Sequence, residues 1–117
     1  MFKLKYFVSS EFARCVPSCS IDAMDPKFLE ELDTCRDIAG VPFRLLSAYR
    51  SPEHDKSKGR SGTGYHCSGR AVDVACTDGE SRRAIIEGCL AVGFTFGVYP
   101  TFIHIDNRRK PIAFVGK

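Results

Sequence analysis

His66-Cys67-Ser68-Gly69-Arg70-Ala71-Val72-Asp73-Val74-Ala75 changes character half-way along. From Ala71 onward it alternates: Ala71, Asp73 and Ala75 project to one side and Val72 and Val74 to the other, the period-two signature of a β-strand. An unpaired Asp buried in so apolar a strand is costly, so something must compensate Asp73, either a cation or an arginine. Its two alanine neighbours leave room above the sheet for an ion or a ligand. His66 ends the loop that precedes the strand, and Gly69 lets the chain turn between them.

A second segment, Phe102-Ile103-His104-Ile105-Asp106, repeats the alternation. His104 shares a face with Phe102 and Asp106. Neutral imidazole and carboxylate are ordinary zinc ligands, and three protein ligands leave a fourth position for water, which separates a catalytic zinc from a structural one. Read singly, each residue has a plainer role: His104 as a hydrogen-bonded core residue, Asp73 as the partner of an arginine.

Outward from these strands, Asp25-Pro26 reads as a helix start, Asp as cap and Pro at the first helical position. Phe28, Leu29, Leu32, Cys35 and Ala39 follow at helical spacing, and Gly40 with Pro42 ends the run. Phe43 to Tyr49 has the composition of a buried strand. Arg50 to Tyr65 reads as a long loop, and long loops in compact domains are often functional. Asp78-Gly79-Glu80 opens a second helix, with Ala84, Ile85, Cys89 and Val92 inward and Gly93 as its stop. Residues 94–96, 102–106 and 111–115 read as three further strands. The blocks predict an α+β fold, a small, largely antiparallel sheet with helices packed on one face. Residues 1–24 read as irregular, with a short edge strand at 3–8. The 117 residues make one domain.

Composition narrows the function classes. Hydrophobic residues at 44% and charged ones at 26% describe a globular chain. The net charge of +3 is mild and its basic residues are scattered, unlike the basic face of a nucleic-acid binder. The apolar run Tyr6-Phe7-Val8 is too short for a signal peptide, and no segment has membrane-spanning length. The expectation is therefore a protein made in the cytoplasm, with reduced cysteines. Of the six, Cys35 and Cys89 fall on inward helix positions and act as small apolar residues. Cys15 and Cys19, spaced C-x3-C, are two thiols that do not by themselves complete a second metal site. Cys67 and Cys76 flank the His66–Asp73 segment and lie close enough in sequence to pair under oxidation.

Three motifs in order carry a resemblance: Ser47-Ala48-Tyr49-Arg50-Ser51-Pro52, the H-x6-D segment with its internal Gly69 and Ala71, and Phe102-Ile103-His104-Ile105-Asp106. Together they resemble the M15 peptidase family over residues 25–115. That family includes zinc D-alanyl-D-alanine carboxypeptidases, dipeptidases and phage endolysins, and shares its fold with the Hedgehog signalling domain. The compact form with a short Cys-containing N-terminal segment is similar to stand-alone versions carried by small phages. The resemblance implies a Zn2+ ion held by His66, Asp73 and His104, and Arg50 contacting substrate or polarising the scissile carbonyl. It implies a peptidoglycan stem peptide as substrate and the bacterial cell wall as place of action. The mild, scattered charge and the lack of a spanning segment leave neither nucleic acid nor membrane as an expected partner, and a monomer is the expected working form. A fixed guanidinium beside a metal suits the oxyanion that develops when an amide is attacked; its plainer role is an ion pair with a nearby carboxylate.

The chain also departs from the pattern. Many family members place an acidic residue three before the last His, where this chain has Thr101, which cannot accept the proton that a metallopeptidase must move. Asp106 is the best local substitute, its alternative being to hold the Asn107-Arg108-Arg109 turn or support His104. Glu53 and Asp55 read as solvated loop charges and His54 as an exposed histidine. Gly64 stands where the family often has Ser. Two other functions compete: a zinc-stabilised binding module for peptide or cell wall that has lost its base, and a Cys/His nucleic-acid module. The absence of paired C-x2-C and H-x3-H spacing speaks against the latter.

Overall fold

The computed structural model describes residues 4–117. Its two long helices form where the caps predict. In helix α2, Pro26–Ala39, the Asp25 carboxylate accepts the Phe28 N–H at 2.9 Å, Pro26 occupies the first turn and Gly40 ends the helix in the left-handed region. Helix α4, Gly79–Val92, is capped in the same way by Asp78 and stopped by Gly93. Phe28, Leu29, Leu32 and Cys35 of α2 are buried with Ile85 and Cys89 of α4.

Five strands make one sheet: β1 (Leu45–Ser47), β2 (Ala71–Ala75), β3 (Thr95–Val98), β4 (Phe102–Asp106) and β5 (Ala113–Val115), in the order β1-β2-β4-β3-β5. All neighbours are antiparallel except β3 and β5. The helices cover the face that carries Val72 and Val74 opposite Ile105 and Ile103, all four fully buried in the core with Phe28, Leu32 and Phe43. Each such side chain contributes about 1.5–3 kcal/mol by leaving water. The same pairing sets Asp73 against His104 and Ala71 against Asp106 on the other face. The fold is thus the α+β arrangement expected, with helices on one side of a mostly antiparallel sheet.

The differences are local. Residues 4–8 form no strand, and residue 3 lies outside the described residues. The main-chain N–H groups of Lys5 and Tyr6 donate to the Asp33 carboxylate of α2 at 2.9 and 2.8 Å, so a side chain takes the role a neighbouring strand would have had. Nor is the rest of the N-terminal segment irregular. Helix α1 (Ser9–Ala13) buries Phe12, and Phe7 and Cys15 join the core. The stretch Arg50–Tyr65 contains helix α3, Pro52–Ser57, started by Ser51 and Pro52 just as α2 is started by Asp25 and Pro26. β5 does not return beside β4 but crosses to the far side of β3 and runs parallel to it. The six cysteines are unpaired; Cys35 and Cys89 bring their sulfurs to 4.0 Å between α2 and α4. Among the described residues, no helix is long and apolar enough to cross a membrane.

Candidate metal centre

Asp73 and His104 sit opposite each other at the middle of β2 and β4. His66 reaches them from a 3-10 turn, Tyr65–Ser68, that closes on Gly69. Gly69 has φ +71°, and a Cβ there would lie 2.5 Å from the Ala23 carbonyl oxygen. Both the left-handed turn and the close approach of the N-terminal segment therefore require glycine.

The three side chains converge. Asp73 Oδ1 lies 3.1 Å from His104 Nδ1 and 3.4 Å from His66 Nε2. Among the described residues, His66, Asp73 and His104 form a group whose donor atoms all lie within 4.8 Å of one another. Each imidazole is oriented from behind. His66 Nδ1–H donates to the Ala48 carbonyl at 2.7 Å, leaving Nε2 for the centre; His104 Nε2–H donates to Asp106 Oδ2 at 2.7 Å, leaving Nδ1. Two imidazole nitrogens and a carboxylate, fixed in tautomer by a carbonyl and a second carboxylate, are the donor set and supporting shell that suit zinc.

The electrostatics follow from the same contacts. Burial alone would raise the Asp73 carboxyl, but the His104 and His66 imidazoles packed against it hold it well below the usual carboxylate range. Burial likewise opposes a charged His104, yet its bonds to Asp106 and Asp73 raise it above the ordinary histidine value.

Asp106 is fully buried and saturated. Besides His104, it accepts the Arg108 main-chain N–H at 3.0 Å and a two-pronged guanidinium bond at 2.9 and 2.6 Å. Burial pushes its carboxyl up, but these bonds hold it well below the usual range. The Arg108 guanidinium lies over the Tyr65 ring, 5.0 Å from its centroid.

The centre opens into a cleft of about 490 Å3, which Arg50 also lines. The Arg50 main-chain N–H donates to the His66 carbonyl at 3.1 Å, tying the motif to the His66 turn. Its Nε is buried without a hydrogen-bond partner and stands 4.0 Å from Asp55 Oδ1, too far for a hydrogen bond. Asp55 is not the solvated loop charge its sequence suggests. It is 4% exposed, and its carboxylate accepts the Gly62 N–H at 3.0 Å, bracing the loop beneath Arg50. Glu53 is exposed and His54 half-buried on α3; neither lines the cleft. Thr101 is exposed in the turn before β4, its carbonyl accepting the Cys76 N–H. Among the described residues, Asp73 is the one carboxylate side chain lining the cleft, against Arg50, Arg60, Arg108 and Lys117.

The same cleft has an aromatic wall. Tyr99 stacks on Phe102 at 4.3 Å, and Phe114 of β5 turns its ring toward both Tyr99 and His104. Phe114 lies so close over Gly97 that a Cβ there would fall 2.2 Å from its ring. Sequence reasoning missed this wall because it depends on the parallel placement of β5. It missed the Ala48 carbonyl because a backbone acceptor has no residue signature. Arg108 was visible only as part of a turn.

Cys15 and Cys19 acquire no third ligand-type side chain among the described residues. No curated protein and no solved structure matches the chain. The family model for Peptidase M15 does match, over residues 5–106, a span that contains the Arg50 motif, the H-x6-D segment and the His104 strand. The chain therefore belongs to the Peptidase M15 family, whose members are metallopeptidases.

Proposed function

We propose that this protein is a zinc-dependent peptidase that hydrolyses peptide bonds of bacterial peptidoglycan stem peptides. In this reading, residues 1–117 form a single peptidase domain, His66, Asp73 and His104 hold the Zn2+ ion, and Arg50 is catalytic. The observation that carries it is the convergence of the three side chains, distant in sequence, with donor atoms within 4.8 Å of one another at the floor of a cleft. When bound, zinc supplies Lewis acidity toward a carbonyl oxygen and lowers the pKa of water.

The chain's own residues do the rest. Arg50 lines the cleft together with the three side chains, which places its guanidinium to meet an oxyanion developing on the scissile carbonyl. Asp106, which the sequence offers as a base, already accepts bonds from Arg108 and His104. This supports the other role open to it: Asp106 fixes the His104 tautomer so that Nδ1 faces the ion. Arg50, Arg60 and Lys117, which line the cleft beside an Arg108 already bound to Asp106, favour a peptide with a free carboxylate, and hence carboxypeptidase-type cleavage near a chain end. The aromatic wall provides an apolar surface for the residues flanking the cut bond. The place of action in this reading is the bacterial cell wall, and the source of the protein a phage.

A second reading has a specific observation behind it. Among the described residues Asp73, a proposed ligand, is the cleft's one carboxylate side chain, and Thr101 stands at the family's acidic position. A zinc-stabilised module that binds stem peptides without cutting them would need no further base. Incubating the purified protein and zinc with peptidoglycan separates the two. A peptidase releases new amino groups, and chelation with EDTA stops it; saturable binding of stem peptide with zinc bound and no amine release on any stem peptide would establish the binding module instead.

A further inference from the structure

Ser47 has a property no other hydroxyl on the open face of the sheet shares. It is 6% exposed, and its Oγ is buried with no hydrogen-bond partner. Thr95, the other buried hydroxyl, accepts the Ile112 N–H at 2.8 Å. A buried hydroxyl left unpaired is destabilising, so such a group calls for a reason.

The strand geometry supplies one. In a regular strand Ser47 would lie on the same side as Leu45, in the core. The β1–β2 register instead shifts between Leu45, opposite Val74, and Ser47, opposite Asp73. This β-bulge turns Ser47 to the Asp73 side of the sheet, the use to which bulges beside active sites are put. On Asp73 the two carboxylate oxygens are unequal. Oδ1 faces both imidazoles, whereas among the described residues Oδ2 accepts no hydrogen bond. A donor without an acceptor thus sits on the residue paired with an acceptor without a donor. The next residue, Ala48, already holds His66 through its carbonyl.

We infer that Ser47 is a positioning residue of the metal centre, its hydroxyl donating to the Asp73 carboxylate when that group is turned to a metal ion. This rests on the proposed zinc site. Ser47 would then do for Asp73 what Ala48 does for His66 and Asp106 for His104, so that each ligand has its own support.

The test is zinc affinity, measured by competition with a chromophoric chelator, alongside thermal melting with and without zinc, for wild type and Ser47→Ala. Zinc affinity should fall about tenfold to a hundredfold in the variant. The metal-free protein should melt at the same temperature or higher, because an unpaired buried hydroxyl has been removed. The rise in melting temperature on adding zinc should shrink accordingly. Unchanged zinc affinity in Ser47→Ala, beside tight binding by wild type, overturns the inference and leaves the zinc site standing. A fall in metal-free stability that accounts for the weaker binding overturns it too, by making Ser47 merely structural. Wild type that binds no zinc ends both the site and the inference.

Discussion

Strands β2 and β4 present two faces built from alternate residues of the same ten positions. Val72, Val74, Ile103 and Ile105 point to the helices, are fully buried and carry no polar atom beyond the backbone. Asp73, His104 and Asp106 point the other way, half-buried or buried, each engaged by at least one other side chain. One face contributes stability by removing apolar surface from water; the other keeps charged groups in a dry setting, where only a network of partners makes them tolerable. The candidate site thus lies where an unpaired atom costs the protein most, and mutations on the two faces should fail in different ways.

Adjacent positions give the largest contrast. His104→Ala should reduce peptidase activity to background and abolish zinc binding, with the fold retained by circular dichroism. Ile103→Ala, one residue away, should cost about 2–5 kcal/mol in denaturant unfolding through lost burial and a cavity. The folded fraction of that variant should still bind zinc. If His104→Ala unfolds the protein as badly as Ile103→Ala, or binds zinc as before, the division between faces is wrong.

Arg50→Ala comes next. If the guanidinium meets the developing oxyanion, kcat should drop about 10²–10³-fold while zinc affinity stays put. Lys at this position should not restore activity, since its point charge lacks the planar fork. A KM-only effect would reduce Arg50 to substrate binding.

The two faces were not equally legible. The helix-covered face follows from alternation in β2 and β4 and from the Asp-Pro and Gly punctuation of α2, all local signals. Asp73 and His104 were legible too, since an acid and a histidine stand out in apolar strands, and His66 as the histidine that ends the loop before β2. What failed to show depends on tertiary placement. Asp55 looks like a solvated loop charge until α3 folds it beneath Arg50. Yet Ser51-Pro52 repeats the Asp25-Pro26 device, and the same rule applied there would have found α3. The register shift that re-aims Ser47 leaves no mark in Leu45-Leu46-Ser47, because a bulge is a property of the pairing rather than of one strand. Phe114 belongs to the cleft only because β5 runs parallel to β3.

Asp106→Asn sharpens the comparison within the open face. Asn keeps the shape but gives up the charge that holds Arg108 and His104. As a positioning residue, its loss should weaken zinc binding about 10–100-fold, with kcat at saturating zinc little changed. A base in the reaction would behave in reverse: zinc affinity intact, kcat reduced by the 10²–10⁴-fold typical of proton transfer.

The smallest effect separates the faces by pH. Val72, Val74, Ile103 and Ile105 have nothing to titrate, so their contribution is constant. His104 is raised above its ordinary value by Asp106 and Asp73 despite its burial. Its contribution to metal-free stability is therefore fully present below about pH 6.5, the unfolded value, and is lost as pH rises through the folded one. Zinc needs the same ring neutral. Its affinity should fall as pH drops through that region, about tenfold per unit while one proton must leave. Asp73 and Asp106, held well below the usual carboxylate range, stay ionised throughout and add no slope there. Metal-free stability and zinc affinity should then move in opposite directions between about pH 6 and 8, the first read by denaturant midpoint and the second by chelator competition. Zinc affinity that is flat across this range would mean that no imidazole gives up a proton to the ion, and His104 would lose its place as a ligand.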